Sequence, residues 1–179
     1  VPPSGKVIGA TELQYMVDAS LDGWLTTGRF NRAFEKELAR FIGIKHLITV
    51  NSGSSANLVA FMTLTSRELG DRAIAKGDEV IAVAAGFPTT VNPIVQFGAV
   101  PVFVDVEPLS YCIDPDQIEN MISKKTVAIL APNLMGNICE WKKIKQIADI
   151  VLKTQGGKGV VRELLEDVLE IDLIKILYK

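Results

Sequence analysis

The chain has 179 residues, 48% of them hydrophobic and 22% charged, which suits one ordinary globular domain with a substantial core. Lys and Arg number 19 against 21 Asp and Glu, a net charge of -2. That balance excludes a protein built to neutralise a phosphate backbone, and it excludes a highly charged disordered chain.

Hydrophobic periodicity predicts a first helix over 11–21, where Leu13, Met16, Val17 and Leu21 recur at steps of three and four and Gly23 follows. A second is predicted over 31–42, with Phe30, Phe34, Leu38 and Phe41 on one stripe, Asn31 as cap and Gly43 as stop. Leu47–Val50 reads as a short buried strand, followed by the turn Asn51-Ser52-Gly53-Ser54-Ser55 and a helix over 56–69. A strand over 79–84 is broken by Gly86-Phe87-Pro88, and a short helix over 89–97 precedes a strand over 100–104. Asp114 and Pro115 open a helix reaching Ile122, then come a strand over 126–131 and a helix over 140–151 with Ile144, Ile147 and Val151 on one side. Residues 154–159 form a Gly-rich connector, and 161–178 read as an amphipathic helix. Strands that are apolar throughout and alternate with helices predict an α/β fold with a parallel sheet covered on both faces.

No apolar run approaches the ~20 residues that span a bilayer; the longest is Val80–Ala85. Val1–Gly5 lacks the basic and apolar segments of a signal peptide. A soluble, cytoplasmic protein with no membrane or nucleic-acid partner is expected. Cys112 and Cys139, 27 residues apart and outside any CxxC pair, read as reduced thiols. With His46 the only histidine, no zinc site and no Ser-His-Asp or Cys-His arrangement can be built, and no metal is expected. Glu35, Glu37 and Glu140 fall on predicted helix faces, where a solvated charge is the default; Asp105 sits at a strand end.

Ligands in open parallel sheets bind at the carboxyl ends of the strands, and three loops fall there. In the first, Gly53 lets the backbone approach a ligand, Ser54 and Ser55 add hydroxyls, and a helix start supplies free N–H groups, which together make a phosphate site. In the second, Phe87 lies between Gly86 and Pro88; composition alone reads it as a core residue, although its placement also suits stacking on a planar ring. In the third, Pro132–Asn137, the amides bond a ligand or cap local turns, and spacing leaves both open.

These loops, in this order, resemble the DegT/StrS group of nucleotide-sugar aminotransferases, fold type I pyridoxal-phosphate enzymes. The resemblance is carried by Trp24-Leu25-Thr26-Thr27-Gly28 with Phe34-Glu35, by Val50–Asn57, Gly77–Ile81, Pro101–Val106 and Pro132–Asn137, and most specifically by Ala84–Pro93. The wording of that last stretch, with Leu69–Arg72 ahead of it, is similar to the branch containing CDP-4-keto-6-deoxyglucose 3-dehydrase, which removes a C3 hydroxyl using pyridoxamine phosphate. The resemblance covers residues 8 to 149. It implies a three-layer, mostly parallel sheet, the N-terminal part of the transferase large domain, over 1–150, with 151–179 as an unrelated connector and tail. It further implies pyridoxal or pyridoxamine phosphate as cofactor, a nucleotide-sugar substrate in deoxysugar or lipopolysaccharide biosynthesis, and a homodimer. Gly53, Ser54 and Ser55 would hold the cofactor phosphate, Phe87 would stack on its ring, Asn133 would edge the pocket, and Trp24–Gly28 would lie near the substrate.

The resemblance stops near Ala148-Asp149. The family's acidic partner of the pyridine nitrogen would fall near Lys158, in the connector; Asp167, in Leu164-Leu165-Glu166-Asp167, echoes it about nine residues late in a helical pattern and is not assigned that role. The Schiff-base Lys, the dehydrase-branch His and the iron–sulfur cysteines would all lie beyond Lys179, and Cys112 and Cys139 do not match those cysteines. No catalytic residue is therefore assigned, and a truncated chain, inactive alone, is expected, since positioned acid–base groups supply roughly 10²–10⁴-fold. The competing expectation is a non-catalytic remnant or assembly partner of the same fold that binds no cofactor. An unrelated nucleotide-binding domain is disfavoured, because neither GxGxxG nor GxxxxGK[ST] occurs.

Overall fold

The computed structural model describes Gly5 and residues 7–148. Val151, the connector and tail over 151–179, Lys158 and Asp167 lie outside the described residues. Two compact units divide at Thr49 and Val50.

The first unit holds α1 (Ala10–Leu21) and α2 (Arg29–Ile42). Glu12 accepts the Gly9 N–H at 2.6 Å and so pins the start of α1, its carboxyl held below the usual range by that amide. No residue of α1 is buried, and its stripe of Leu13, Met16 and Val17 stays about half exposed. Helix α2 begins two residues earlier than expected: Gly28, in extended conformation, is its N-cap, so Asn31 sits inside the first turn. Gly43 ends it in the left-handed conformation at φ 76°, where its amide reaches back to the last carbonyls.

The expected strand at Leu47–Val50 is not formed. Its residues suit a strand, but no described strand lies beside it, and the Thr49 amide is instead donated to the Glu35 carboxylate. A strand is a pairing, and apolar sequence alone does not supply the partner.

The second unit is the sheet. β1 (Glu79–Val83) is central, with β2 (Val100–Val104) and β3 (Thr126–Leu130) parallel to it on either side. Ile81 aligns with Val102 and Ile129. Alternation along β1 feeds two cores. Val80 and Ala82 join Phe61, Ile94 and Ala99 under α3 (Gly53–Leu64) and α4 (Pro88–Gln96). Ile81 and Val83 join Val104, Ile113, Ile118 and Ile144 under α5 (Pro115–Ile118) and α6 (Trp141–Ile147). The result is helix, parallel sheet, helix: the expected three layers.

Several helices are shorter than expected. α3 stops at Leu64, and 3₁₀ turns over Arg67–Arg72 follow, interrupted at Gly70 (φ 56°, ψ -131°), a conformation that glycine alone adopts without strain. The expected helix to Ile122 tightens from α into a 3₁₀ turn over Glu119–Met121.

Candidate functional site

The start of α3 is built by its own side chains. Ser52 is the N-cap, and its hydroxyl oxygen accepts the Ser55 N–H at 3.2 Å. That hydroxyl donates on to the Ser55 Oγ, which donates to Asn51 Oδ1 at 2.6 Å. Ser55 is thus engaged through amide and hydroxyl alike in shaping the turn. Gly53 and Ser54 are the open positions: among the described residues neither amide has an acceptor and the Ser54 hydroxyl has no partner. No acidic residue lies in the first turn of α3, and nothing stands within 4 Å of where a Gly53 side chain would begin. Two uncommitted N–H groups and a hydroxyl thus stand together at the positive end of a helix, a donor arrangement whose chemistry suits an anion.

Phe87 lies past the carboxyl end of β1. Gly86 packs so close to Val83 that a Cβ there would meet the valine Cγ1 at 2.9 Å, and this tight turn brings Phe87 out as the N-cap of α4. Phe87 is 67% exposed, so the core role suggested by composition is not realised. Pro88 takes the first helical position.

Asn133 serves its own loop. Its Oδ1 accepts the Cys139 N–H at 3.0 Å and the Trp141 Nε1–H at 3.1 Å, while its amide nitrogen makes no bond among the described residues. Asn137 Nδ2 donates to the Ser110 carbonyl at 2.8 Å, linking this loop to the one after β2.

In the first unit, Trp24 Nε1 donates to the Thr27 carbonyl at 3.0 Å, closing the Trp24–Gly28 turn. Arg29 pairs with Asp22 through two nitrogens at 2.8 and 3.1 Å and lies 4.2 Å from the centre of the Phe30 ring. These residues border a groove of about 370 Å³. Sequence reasoning left Glu35 as a solvated charge. Its carboxylate instead accepts the Thr49 amide and hydroxyl, which, with Asn31, hold it below the usual carboxylate range. Only the pairing of Phe34-Glu35 with the Trp24–Gly28 segment hinted at it; its partner is 14 residues away. His46 is exposed, and Asp105 Oδ1 accepts its neighbour's Val106 amide. No cluster of metal-ligating side chains occurs among the described residues, and no described helix is long and apolar enough to cross a membrane.

The second unit is therefore a three-layer α/β domain with unengaged donors at one helix start and an exposed aromatic beyond its central strand. The DegT/DnrJ/EryC1/StrS aminotransferase family model matches residues 6–151, and the chain belongs to that family. It is 60% identical over 149 residues to the lipopolysaccharide biosynthesis protein RfbH of Salmonella typhimurium, covering 83% of this chain and 34% of that one. It is 45% identical over 148 residues to the dTDP-4-dehydro-2,6-dideoxy-D-glucose 3-dehydratase of Saccharopolyspora spinosa, covering 83% and 32%. Among solved structures it resembles the Escherichia coli GDP-4-keto-6-deoxy-D-mannose-3-dehydratase with bound hydrated PLP, at a TM-score of 0.72 and 29% identity over 82% of this chain and 37% of that one. The chain spans about a third of the length of the curated relatives it matches.

Proposed function

We propose that this chain forms the cofactor-phosphate part of a pyridoxal- or pyridoxamine-phosphate-dependent enzyme of nucleotide-sugar metabolism, in deoxysugar or lipopolysaccharide biosynthesis. The observation that carries the reading is the donor set of α3: the free amides of Gly53 and Ser54 and the Ser54 hydroxyl, with no acidic residue in the first turn. A phosphate monoester fits such a set, because the helix start offers hydrogen bonds and positive potential together. Ser55 and Asn51 hold the turn in shape. Phe87, already in water, offers a ring face without leaving a core. The amide nitrogen of Asn133 is the group left free to reach a ligand.

When bound, the cofactor supplies an electron sink for bonds next to a substrate amine or imine. The chain's part is to anchor its phosphate and orient its ring. Of the two chemistries, 3-dehydration is favoured: the 45% identical relative and the E. coli structure are both named for it. The substrate class is a nucleotide-linked keto-deoxysugar. The half-exposed stripe on α1 supports self-association of the enzyme.

The polypeptide on its own is expected to bind cofactor phosphate weakly and not to turn over. Lys142, Lys143 and Lys145 are exposed, and Asp116 raises the ammonium pKa of Lys143, the opposite of what a Schiff-base lysine requires. An absorbance titration with pyridoxal phosphate, run with wild type and Gly53→Asp, tests the reading. Saturable binding to wild type that the variant loses supports it; equal binding by both refutes it. The alternative, a non-catalytic partner of the same fold, is favoured if neither protein binds.

A further inference from the structure

The sequence has two cysteines, and the fold brings them together. Cys112 follows β2 and Cys139 follows β3, yet both enter the same core cluster and are 2% and 3% exposed. Both side chains belong to that one buried cluster, where the Cys112 thiol acts on Cys139.

Each loop is organised to put its sulfur there. Glu107 accepts the Ser110 amide at 2.7 Å, Tyr111 takes the left-handed conformation at φ 57°, and the chain turns back so that the Glu107 amide reaches the Cys112 carbonyl. That turn is closed by the Val106–Ile113 bridge. On the other side Asn133 holds the Cys139 amide, and the Cys139 thiol donates to the Pro132 carbonyl at 3.3 Å. The Asn137–Ser110 bond ties the two loops together.

We infer that Cys112 and Cys139 are a disulfide-forming pair, and that a small-molecule disulfide converts them reversibly into a cross-link between the loops after β2 and β3. One cysteine thiolate attacks the small disulfide, forming a mixed disulfide and releasing one small thiolate. The second cysteine then attacks the protein sulfur of that mixed disulfide and releases the second. The two cysteines lose two electrons and two protons in total, and one small disulfide is reduced to two thiols. Burial sets the pace. It pushes the Cys139 thiol up to about 11, so little thiolate exists at neutral pH. Entry therefore waits for the loop to open. That loop exposes Met135 and Ile138 at 85% and 73%, so its opening has to break chiefly the Asn133 and Asn137 bonds described above. Once the loop recloses, the shared cluster brings the second thiol back beside the mixed disulfide and makes the second step fast.

The test incubates the whole reduced chain with oxidised glutathione, without denaturant and in urea, and follows intact mass. In the native protein the expected product is a monomer lighter by about two mass units, reversed by dithiothreitol. A peptide map should join Cys112 to Cys139. The glutathione adduct should accumulate about tenfold less than in urea, because the native fold keeps the second thiol at high effective concentration. Cys112→Ser should stop at the glutathione adduct. Native protein that halts at adducts, forms disulfide-linked dimers, or closes the bond only in urea would overturn the assignment.

Discussion

Thr49 gives both of its donors to one carboxylate: its amide meets Glu35 Oε1 at 2.8 Å and its hydroxyl meets the same oxygen at 2.7 Å. The two residues lie 14 apart, so α2 and the segment after it are held by a charge-assisted contact. Because these bonds favour the ionised form, the folded pKa of Glu35 lies below its unfolded value. Their stabilisation is present above the unfolded pKa, about 4.3, and is lost as pH falls through the folded one. Glu35→Gln is expected to lower the urea midpoint at pH 7 and to match wild type well below pH 4. A gap that persists unchanged in acid would show that packing, not charge, ties this segment.

The α3 start separates two serines that look equivalent in sequence. Ser54→Ala removes an uncommitted hydroxyl and is expected to leave thermal stability within about 0.5 kcal/mol of wild type while weakening pyridoxal-phosphate binding. Ser52→Ala removes the cap and is expected to cost about 1 kcal/mol. Thermal unfolding and absorbance titration of the two variants distinguish the roles. Reversed outcomes would mean that the anion approaches the other side of the turn.

Phe87 and Ile94 make a second contrast, on either side of one helix start. Ile94 is fully buried and Phe87 is 67% exposed. Ile94→Ala is expected to destabilise by about 2–5 kcal/mol, and Phe87→Ala by much less. Phe87→Ala should instead weaken cofactor binding. Calorimetry that finds Phe87→Ala as costly as Ile94→Ala would return the ring to the core.

Much of this arrangement was legible beforehand. The runs at 80–83, 100–104 and 127–130 are apolar at every position, the pattern of a strand covered on both faces. Gly43 and Pro88 marked helix ends because their backbone geometry does so locally. Leu47–Val50 failed because strand formation depends on a neighbour that sequence does not name. The division of labour between Ser54 and Ser55 was hidden for a related reason: it rests on which hydroxyl Asn51 and Ser52 engage. Exposure of Phe87 depends on the close approach of Gly86 to Val83, a tertiary fact.

Asn133 offers a spectroscopic prediction. Its Oδ1 satisfies the indole N–H of Trp141 and the backbone of buried Cys139. Asn133→Ala leaves the Cys139 amide without its acceptor, at a cost of about 1–3 kcal/mol, and should shift tryptophan emission. Asn133→Asp keeps an acceptor and should retain most of the stability. Identical emission in Asn133→Ala and wild type would place the loop's anchor elsewhere.

Reductive trapping tests the lysines. Lys143 Nζ lies 2.8 and 3.2 Å from the two Asp116 oxygens, and its raised pKa keeps it protonated at neutral pH. Pyridoxal phosphate followed by borohydride is expected to give scattered, substoichiometric adducts across the surface lysines, with Lys143 among the least labelled. Asp116→Asn should increase labelling at Lys143. One stoichiometric pyridoxyl-lysine in wild type would show a dedicated amine.

The described strands are assembled out of chain order, since the first of them to be made is the one that ends between the other two. A ribosome that has just added Val83 must add about 47 further residues before Leu130 exists, roughly 2–9 s at ordinary elongation rates. Until then Val80 and Ala82 can be sheltered by α3 and α4 on one side, but Ile81 and Val83 wait for Ile118 and Ile144, which are made later still. The nascent chain therefore carries a bare isoleucine–valine face through much of its synthesis. Slowed translation between Val83 and Ile144 should raise its demand for chaperones more than the same delay upstream of β1.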